Sequence, residues 1–289
     1  MKAAETKSKK RILYDRTLRI LLWTCAGLTC ALLLLVIGFI FVRGLPNISW
    51  QLLSTQPSYR NDTIGILPNL INTLCLIFGT LLIVLPLGAG AAVYLTEYAT
   101  NKKVVAAIEF ASETLTGIPS ILYGLVGMLF FCNFLGWGSS VRAGILTMVI
   151  MVLPTIMRTT QESLKAVPQS YREASLGLGS GKWHMIRTVV LPSSIDGIVT
   201  GCILSIGRIV GESAVLLYTV GMSMSMQDFF RNGLESFFSA SGSTLSVALY
   251  VYAKVRANFD LAFSVAVVLI VITLVINLAS NLVGRKLKK

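Results

Sequence analysis

Two stretches of this chain carry no charged side chain: Ile20–Val42, 23 residues, and Leu261–Gly284, 24 residues. A helix needs about 20 apolar residues to cross the roughly 30 Å hydrocarbon core of a bilayer. In lipid the backbone polar groups must pair within the protein, which leaves helices and closed barrels as the spanning structures. The length of the two runs selects helices. Composition agrees: 54% of the 289 residues are hydrophobic and 13% are charged, against about 25% charged in an ordinary soluble domain.

Hydropathy along the rest of the chain predicts an all-α polytopic membrane protein with six transmembrane helices. They fall near Ile20–Val42, Leu67–Leu95, Leu115–Leu135, Ala143–Met157 with a polar helical extension, Ile195–Met222 and Ala262–Val283. The first run exceeds the roughly 7–15 residue core of a signal peptide and no small-x-small site follows it, so it reads as a retained anchor. The chain divides into an arm, first span and external segment at 1–66 and a core at 67–289, with a prominent loop at 165–192.

The net charge of +12 tests this topology. Lys and Arg cluster before the first span (Lys2, Lys7, Lys9, Lys10, Arg11, Arg16, Arg19), at Lys102–Lys103, across Arg158–Arg187 and after the last span (Arg285, Lys286, Lys288, Lys289). With both termini cytoplasmic, 18 of the 25 lie inside, 6 lie outside (Arg43, Arg60, Arg142, Arg231, Lys254, Arg256) and Arg208 lies within a span. That asymmetry follows the positive-inside rule. Charge placed at span ends reports orientation and excludes a nucleic-acid-binding patch. Glu97, Lys102 and Lys103 read as solvated boundary residues.

Cys25, Cys30, Cys75, Cys132 and Cys202 lie in apolar segments without a Cys-x-x-Cys pair, and read as small hydrophobes with no disulfide frame or metal site. The single histidine, His184, has no metal-binding neighbours in sequence and reads as ordinary loop packing. No nucleophile, base and metal constellation supports an enzyme. Pro68 and Pro86 lie in the second span and Pro154 in the fourth, Pro119 opens the third, and Ser120, Gly124 and Gly127 have the small-residue spacing that lets helices approach closely. The external segment Ser223–Leu261, with Phe229, Phe230, Phe237 and Phe238, predicts an interfacial or re-entrant helix shielding the outer mouth, or an amphipathic packing element.

The loop is the most informative region. Glu173-Ala174-Ser175 is followed by Gly179, then by Val189, Leu191 and Pro192. Tyr171–Leu178 predicts a short helix, Gly179 and Gly181 a turn that a β-carbon would oppose, and Trp183, Ile186 and Val190 a second helical stripe ended by Leu191-Pro192. Gly177–Lys182 imitates a phosphate loop but fails the Walker spacing: Leu176 and Trp183 stand where Gly and Ser or Thr are required.

This loop resembles the E-A-A-x3-G-x9-I-x-L-P loop of ABC importer permeases, with Ser175 for the second alanine and Val189 for the isoleucine. The resemblance implies a type I ABC importer permease fold. It also implies a loop (Glu173, Ala174, Ser175, Gly179, Leu191, Pro192) that docks a separate ATPase, which alone binds ATP; the chain itself needs no cofactor. Further motifs narrow the family: Asn72-Thr73, Pro86-Leu87-Gly88, Tyr94-Leu95-Thr96-Glu97-Tyr98, Gly117-Ile118-Pro119-Ser120, Met157-Arg158-Thr159-Thr160, Arg172-Glu173-Ala174 and Arg208-Ile209-Val210-Gly211-Glu212-Ser213. Together they resemble the PstA permease of the bacterial phosphate ABC importer, from about Leu67 onward. That family implies a PstC-like second permease, a PstB-like ATPase dimer and a PstS-like phosphate-binding protein at the bacterial inner membrane.

The residues of the fifth span point the same way. Arg208 lies 13 residues beyond Ile195, roughly 20 Å along a helix and near mid-membrane. Ionisable groups at that depth usually mark pathways, and a guanidinium suits a tetrahedral oxyanion. Glu212, four residues later, shares its helix face, where its carboxylate would accept a hydrogen bond from the proton that phosphate carries and sulfate lacks, and would repel the fully deprotonated anion. A structural Arg208–Glu212 pair is the competing reading. For Arg158 the residues suggest snorkelling to the interface, and the resemblance a pathway cation near the cytoplasmic exit. Sulfate or molybdate as cargo, and a self-sufficient transporter or channel, are the alternative functions.

Overall fold

The computed structural model describes residues 9–57, 64–223, 233 and 235–287. Lys2, Lys7, Arg60, Phe229, Phe230, Arg231, Lys288 and Lys289 lie outside the described residues. The principal helices are α1 (Lys9–Gly44), α2 (Leu67–Tyr98), α3 (Lys102–Gly117), α4 (Ser120–Phe134), α5 (Val141–Ala166), α6 (Gln169–Gly177), α7 (Lys182–Ser193), α8 (Ile195–Gly211), α9 (Ala214–Thr219), α10 (Leu245–Val255) and α11 (Phe259–Leu287). Four of them, α1, α2, α5 and α11, are long and apolar enough to cross a membrane singly. The count reaches six when the bent pairs α3–α4 and α7–α8 are each taken as one crossing.

Two predicted segments differ from what forms. The third span was expected at Leu115–Leu135, but Leu115–Gly117 ends α3 and the chain turns by 98° before α4. Pro119 causes the break: it has no N–H to donate and drives the residue before it out of the helical region, and Ile118 is extended at ψ 130°. The fifth span was expected to run unbroken from Ile195 to Met222. Instead α8 ends at Gly211, Glu212 is extended (φ −80°, ψ 115°), and α9 restarts at Ala214. Within the segment read as an interfacial or amphipathic packing helix, α10 packs with Leu245, Val247, Ala248 and Tyr252 all inaccessible.

Helix α5 is central. Two thirds of its most apolar window is buried, whereas none of that of α1 is. Met148, Met151, Val152 and Ile156 of α5 share one apolar cluster with Leu76, Ile77 and Val84 of α2, Ile206, Ile209 and Val210 of α8, and Val215 and Leu216 of α9. Helix α1 stands at the periphery. It meets α11 near one end, where the Phe39 and Phe263 rings lie edge to face at 5.5 Å and Ser264 Oγ donates to Gly44 O at 3.1 Å. Cys25 and Cys30 are consequently exposed rather than packed.

The small residues of α4 act as the spacing predicts. A β-carbon on Gly124 would lie 2.9 Å from Val215 Cα, and one on Gly127 would overlap Thr147 Oγ1. At the start of α2, Asn69 and Asn72 both donate to Ser243 O, and Thr73 Oγ1 accepts from Leu245 N at 2.9 Å. These bonds clasp the buried 243–246 turn and explain the Asn72-Thr73 motif.

Gly127→Val forces a side chain into the α4–α5 contact, where overpacking costs about 1–3 kcal/mol. Thermal unfolding in detergent should fall for this variant and stay unchanged for Gly177→Ala, where a β-carbon meets nothing within 4 Å.

Candidate functional site

The loop folds as two short helices at one end of the bundle. Helix α6 covers the predicted Tyr171–Leu178 within two residues, and Gly179 makes the turn at φ +84°. Gly181 has an ordinary φ of −72°, so the turn requires only one of the two expected glycines. Ser175, at the third motif position, has a task that alanine lacks. Its Oγ lies 2.7 Å from Ser180 Oγ, and Ser180 Oγ donates to Ser175 O at 2.7 Å, closing the turn.

Glu173 and Ala174 are exposed. Leu178 is 90% and Trp183 61% accessible, with Tyr171 and Leu176 open beside them. A concentrated apolar patch of this kind marks an interaction surface. Trp183 does not join the predicted stripe: Ile186 and Val190 are buried, while Trp183 lies beyond the edge of their cluster. Helix α7 ends at Ser193, one residue past Pro192, and the chain bends by 62° into α8.

The loop is joined to the spans in two ways. Helix α7 buries Met185, Ile186 and Val190 against Ala92, Val93 and Leu95 of α2 and Met157 and Leu164 of α5. Helix α6 is tied by Arg172. Its Nε and Nη2 donate to Glu97 Oε1 at 3.1 and 2.8 Å, Nη1 donates to Val167 O at 2.7 Å, and Nη2 also donates to Leu164 O at 2.8 Å. The two side chains are 10% and 6% exposed. Glu97 was expected to be a solvated boundary residue; it is a buried ion-pair partner. Its partner is 75 residues away, and the signal available in the sequence was that both belong to quoted motifs. Lys102 and Lys103 are exposed.

In the broken fifth span, Arg208 is half-buried in the last turn of α8, where a cation complements the negative end of the helix dipole. It lies within electrostatic reach of Tyr123 on α4. Glu212 does not share its helix face. The carboxylate instead accepts from Val215 N at 3.2 Å at the start of α9, and Ser246 Oγ donates to Glu212 O at 2.8 Å. No Arg208–Glu212 ion pair forms among the described residues, and the break explains why: the i,i+4 relation requires a continuous helix. One face of α8 packs on α5 through Gly197 and Gly201. Thr200, Leu204, Gly207 and Gly211 form an uncovered stripe on the other, and Arg208 borders it.

Arg158 is far from that pair of residues in character. It is 54% exposed and bridges Glu162 Oε1 at 3.1 Å and Glu113 Oε1 at 3.4 Å. Lys165 and Gln161 meet Glu109 Oε1 at 3.0 and 2.6 Å. The two carboxylates, four residues apart on α3, thus hold that helix along α5.

The sequence profile of the family described as binding-protein-dependent transport system inner membrane component matches residues 84–289. The chain belongs to this family of importer permeases. The permease is 38% identical over 205 residues to the probable ABC transporter permease protein YqgI of Bacillus subtilis, covering 71% of this chain and 70% of that one. It is 34% identical over 228 residues to the phosphate transport system permease protein PstA 2 of Mycobacterium bovis, covering 77% and 74%. A bacterial ABC transporter that imports the acidic polysaccharide alginate shares its fold, at TM-score 0.65 and 17% identity, covering 96% of this chain and all of that one. The permease is thus a multi-pass membrane subunit of an ABC importer, with the helical importer-permease fold expected. Membership implies an ATPase partner and a substrate-binding protein.

Glu212→Ala removes the acceptor that caps α9 and should lower stability by about 1 kcal/mol. Glu212→Asn should retain most of it, read from the denaturation midpoint of the purified permease. The exposed Glu113→Gln exchange should cost less, about 0–1 kcal/mol.

Proposed function

We propose that this permease carries inorganic phosphate into the cytoplasm of a bacterium, driven by ATP that partner subunits hydrolyse. The observation that carries the reading is Arg208, half-buried beside the uncovered stripe of α8, at a break in a span. Broken helices inside a membrane protein occur where backbone lines a cavity, and their ends serve as ion sites. Arg208 supplies the fixed cation that a passing oxyanion needs, and the PstA-named relatives support phosphate as that oxyanion.

In this reading the stripe faces a PstC-like second permease across the pathway, a PstS-like protein delivers phosphate from outside, and both termini lie in the cytoplasm of an inner-membrane assembly. The excess of Lys and Arg on the proposed inner segments supports that orientation. Glu212 shapes the break and contributes its charge to selection among oxyanions. Arg158 has a secondary place, because an anion reaching it has to displace Glu113 and Glu162. The permease performs no catalysis. The patch around Glu173, Ala174, Ser175 and Gly179 receives one subunit of a PstB-like ATPase dimer, and Leu191-Pro192 carries its displacement into α8.

Reconstituted with its partners, the wild-type assembly should import radiolabelled phosphate in the presence of excess sulfate. Arg208→Ala should reduce uptake by about 10- to 100-fold, the worth of a charged hydrogen bond at 1.5–3 kcal/mol. Sulfate competing equally with phosphate would refute the cargo. Leu178→Asp should lower ATPase retention on purification by about tenfold or more, since burying a leucine is worth about 1.5–3 kcal/mol. Full retention would refute the docking surface.

A further inference from the structure

We infer that the buried Glu97–Arg172 ion pair is the mechanical link that makes α6 move as one body with α2 and α5. The inference rests on the proposed docking of an ATPase at the loop, and adds which residues transmit the motion.

The two helices of the loop are attached by different physics. Helix α7 contributes three residues to an apolar cluster with α2 and α5. Helix α6 contributes none, and Arg172 is its one buried residue. Its flank toward α5 is extended, Val167 and Pro168 having ψ 126° and 139°, while the Gly179 turn toward α7 is closed by Ser175 and Ser180. Across the extended flank a side chain has to fix α6 to the ends of α2 and α5. Arg172 fixes it at three points. It holds the carboxylate at the end of α2 and two carbonyls at the C-terminal end of α5, Leu164 O and the C-cap Val167 O.

A guanidinium does this where an ammonium does not. Its donors lie in one rigid plane, so the four bonds set the orientation of α6 as well as its position. Burial raises the stakes, because removing one partner of a buried pair leaves the other charge uncompensated. The residues that face outward from α6 and the turn, Tyr171, Glu173, Leu176 and Leu178, are separate from the pair. Docking and transmission are therefore separable by mutation. Glu97 and Arg172 are positioning residues, acting on the pathway through the helices they join.

The test uses the complete assembly in proteoliposomes, with Glu97→Gln, Arg172→Lys and the conservative Glu97→Asp. Retained ATPase, ATP hydrolysed and radiolabelled inorganic phosphate imported are measured together. We expect Glu97→Gln and Arg172→Lys to keep the ATPase and hydrolyse ATP while phosphate imported per ATP falls by about tenfold, with Glu97→Asp restoring most of it, as disruption of a buried charge pair requires. A merely structural role would lower the amount of assembly and leave that ratio unchanged. Nitroxide labels introduced by Ser170→Cys and Tyr94→Cys, with the native cysteines replaced, report the α6–α2 distance independently of cargo. It should stay narrow on ATP binding in the parent and broaden with Glu97→Gln. An unchanged ratio with unchanged distances, or loss of the ATPase from Glu97→Gln, would overturn the inference. A parent assembly that retains no ATPase would overturn the docking reading and this inference with it. A parent that retains the ATPase without importing phosphate would overturn the cargo alone, and the label distances then decide the link.

Discussion

A backbone placed in hydrocarbon has no water to satisfy its N–H and C=O groups, so each interruption of a spanning helix has to be repaired by protein. That constraint organises this permease. Where the fifth span opens, Ser246 Oγ donates to Glu212 O and the Glu212 carboxylate caps α9. Where α9 ends, Ser140 N donates to Thr219 O and Gly242 N to Val220 O. Asn69, Asn72 and Thr73 supply the remaining bonds to the 243–245 turn. The polar residues buried at this end are therefore the condition for having a broken span at all, and the break is what sets Arg208 at a helix terminus inside the bundle.

The other end is built on a contrast between two kinds of attachment. Apolar packing holds α7 and is tolerant of small shifts, because it is non-directional. The Arg172 plane holds α6 and is directional. A loop with a firm apolar limb and a limb oriented by one guanidinium presents Leu178 and Trp183 outward without collapsing them onto the bundle. In the proposed machine this geometry receives the ATPase. The ladder of Glu109 and Glu113 against Arg158, Gln161 and Lys165 runs along the adjoining face and is far more exposed. Such pairs set the lie of α3 more than they stabilise it.

Much of the fold was legible in the sequence because its signals are local. Uncharged runs announced α1 and α11, the Glu173–Gly179 spacing announced α6 and its turn, and the small residues at 124 and 127 announced a close helix crossing. The misreadings share one cause. A hydropathy run does not show whether a helix continues through it, so the break at Glu212–Ser213 was absorbed into a span and the third span was begun at Leu115, ahead of the Pro119 that opens it. Helix α10, with 11 residues, is too short to read as a crossing; the sequence left interfacial and packing readings open, and tertiary packing buries it.

The chain by itself determined that it is a helical membrane protein of the importer-permease family, and where along it the loop and Arg208 lie. Those follow from composition, from short-range spacing and from motifs. Only the tertiary structure decided the partners of the charges. Glu97 looked solvated and is buried against Arg172; Glu212 was read on one helix face with Arg208 and instead caps α9; Arg158 was read as snorkelling or lining a pathway and holds two carboxylates. The physical reason is that a charge pairs with whatever the fold brings within about 4 Å: for Glu97 and for the Glu113 contact of Arg158 those neighbours come from helices tens of residues away, and for Glu212 a break in the helix turns the carboxylate onto Val215 N.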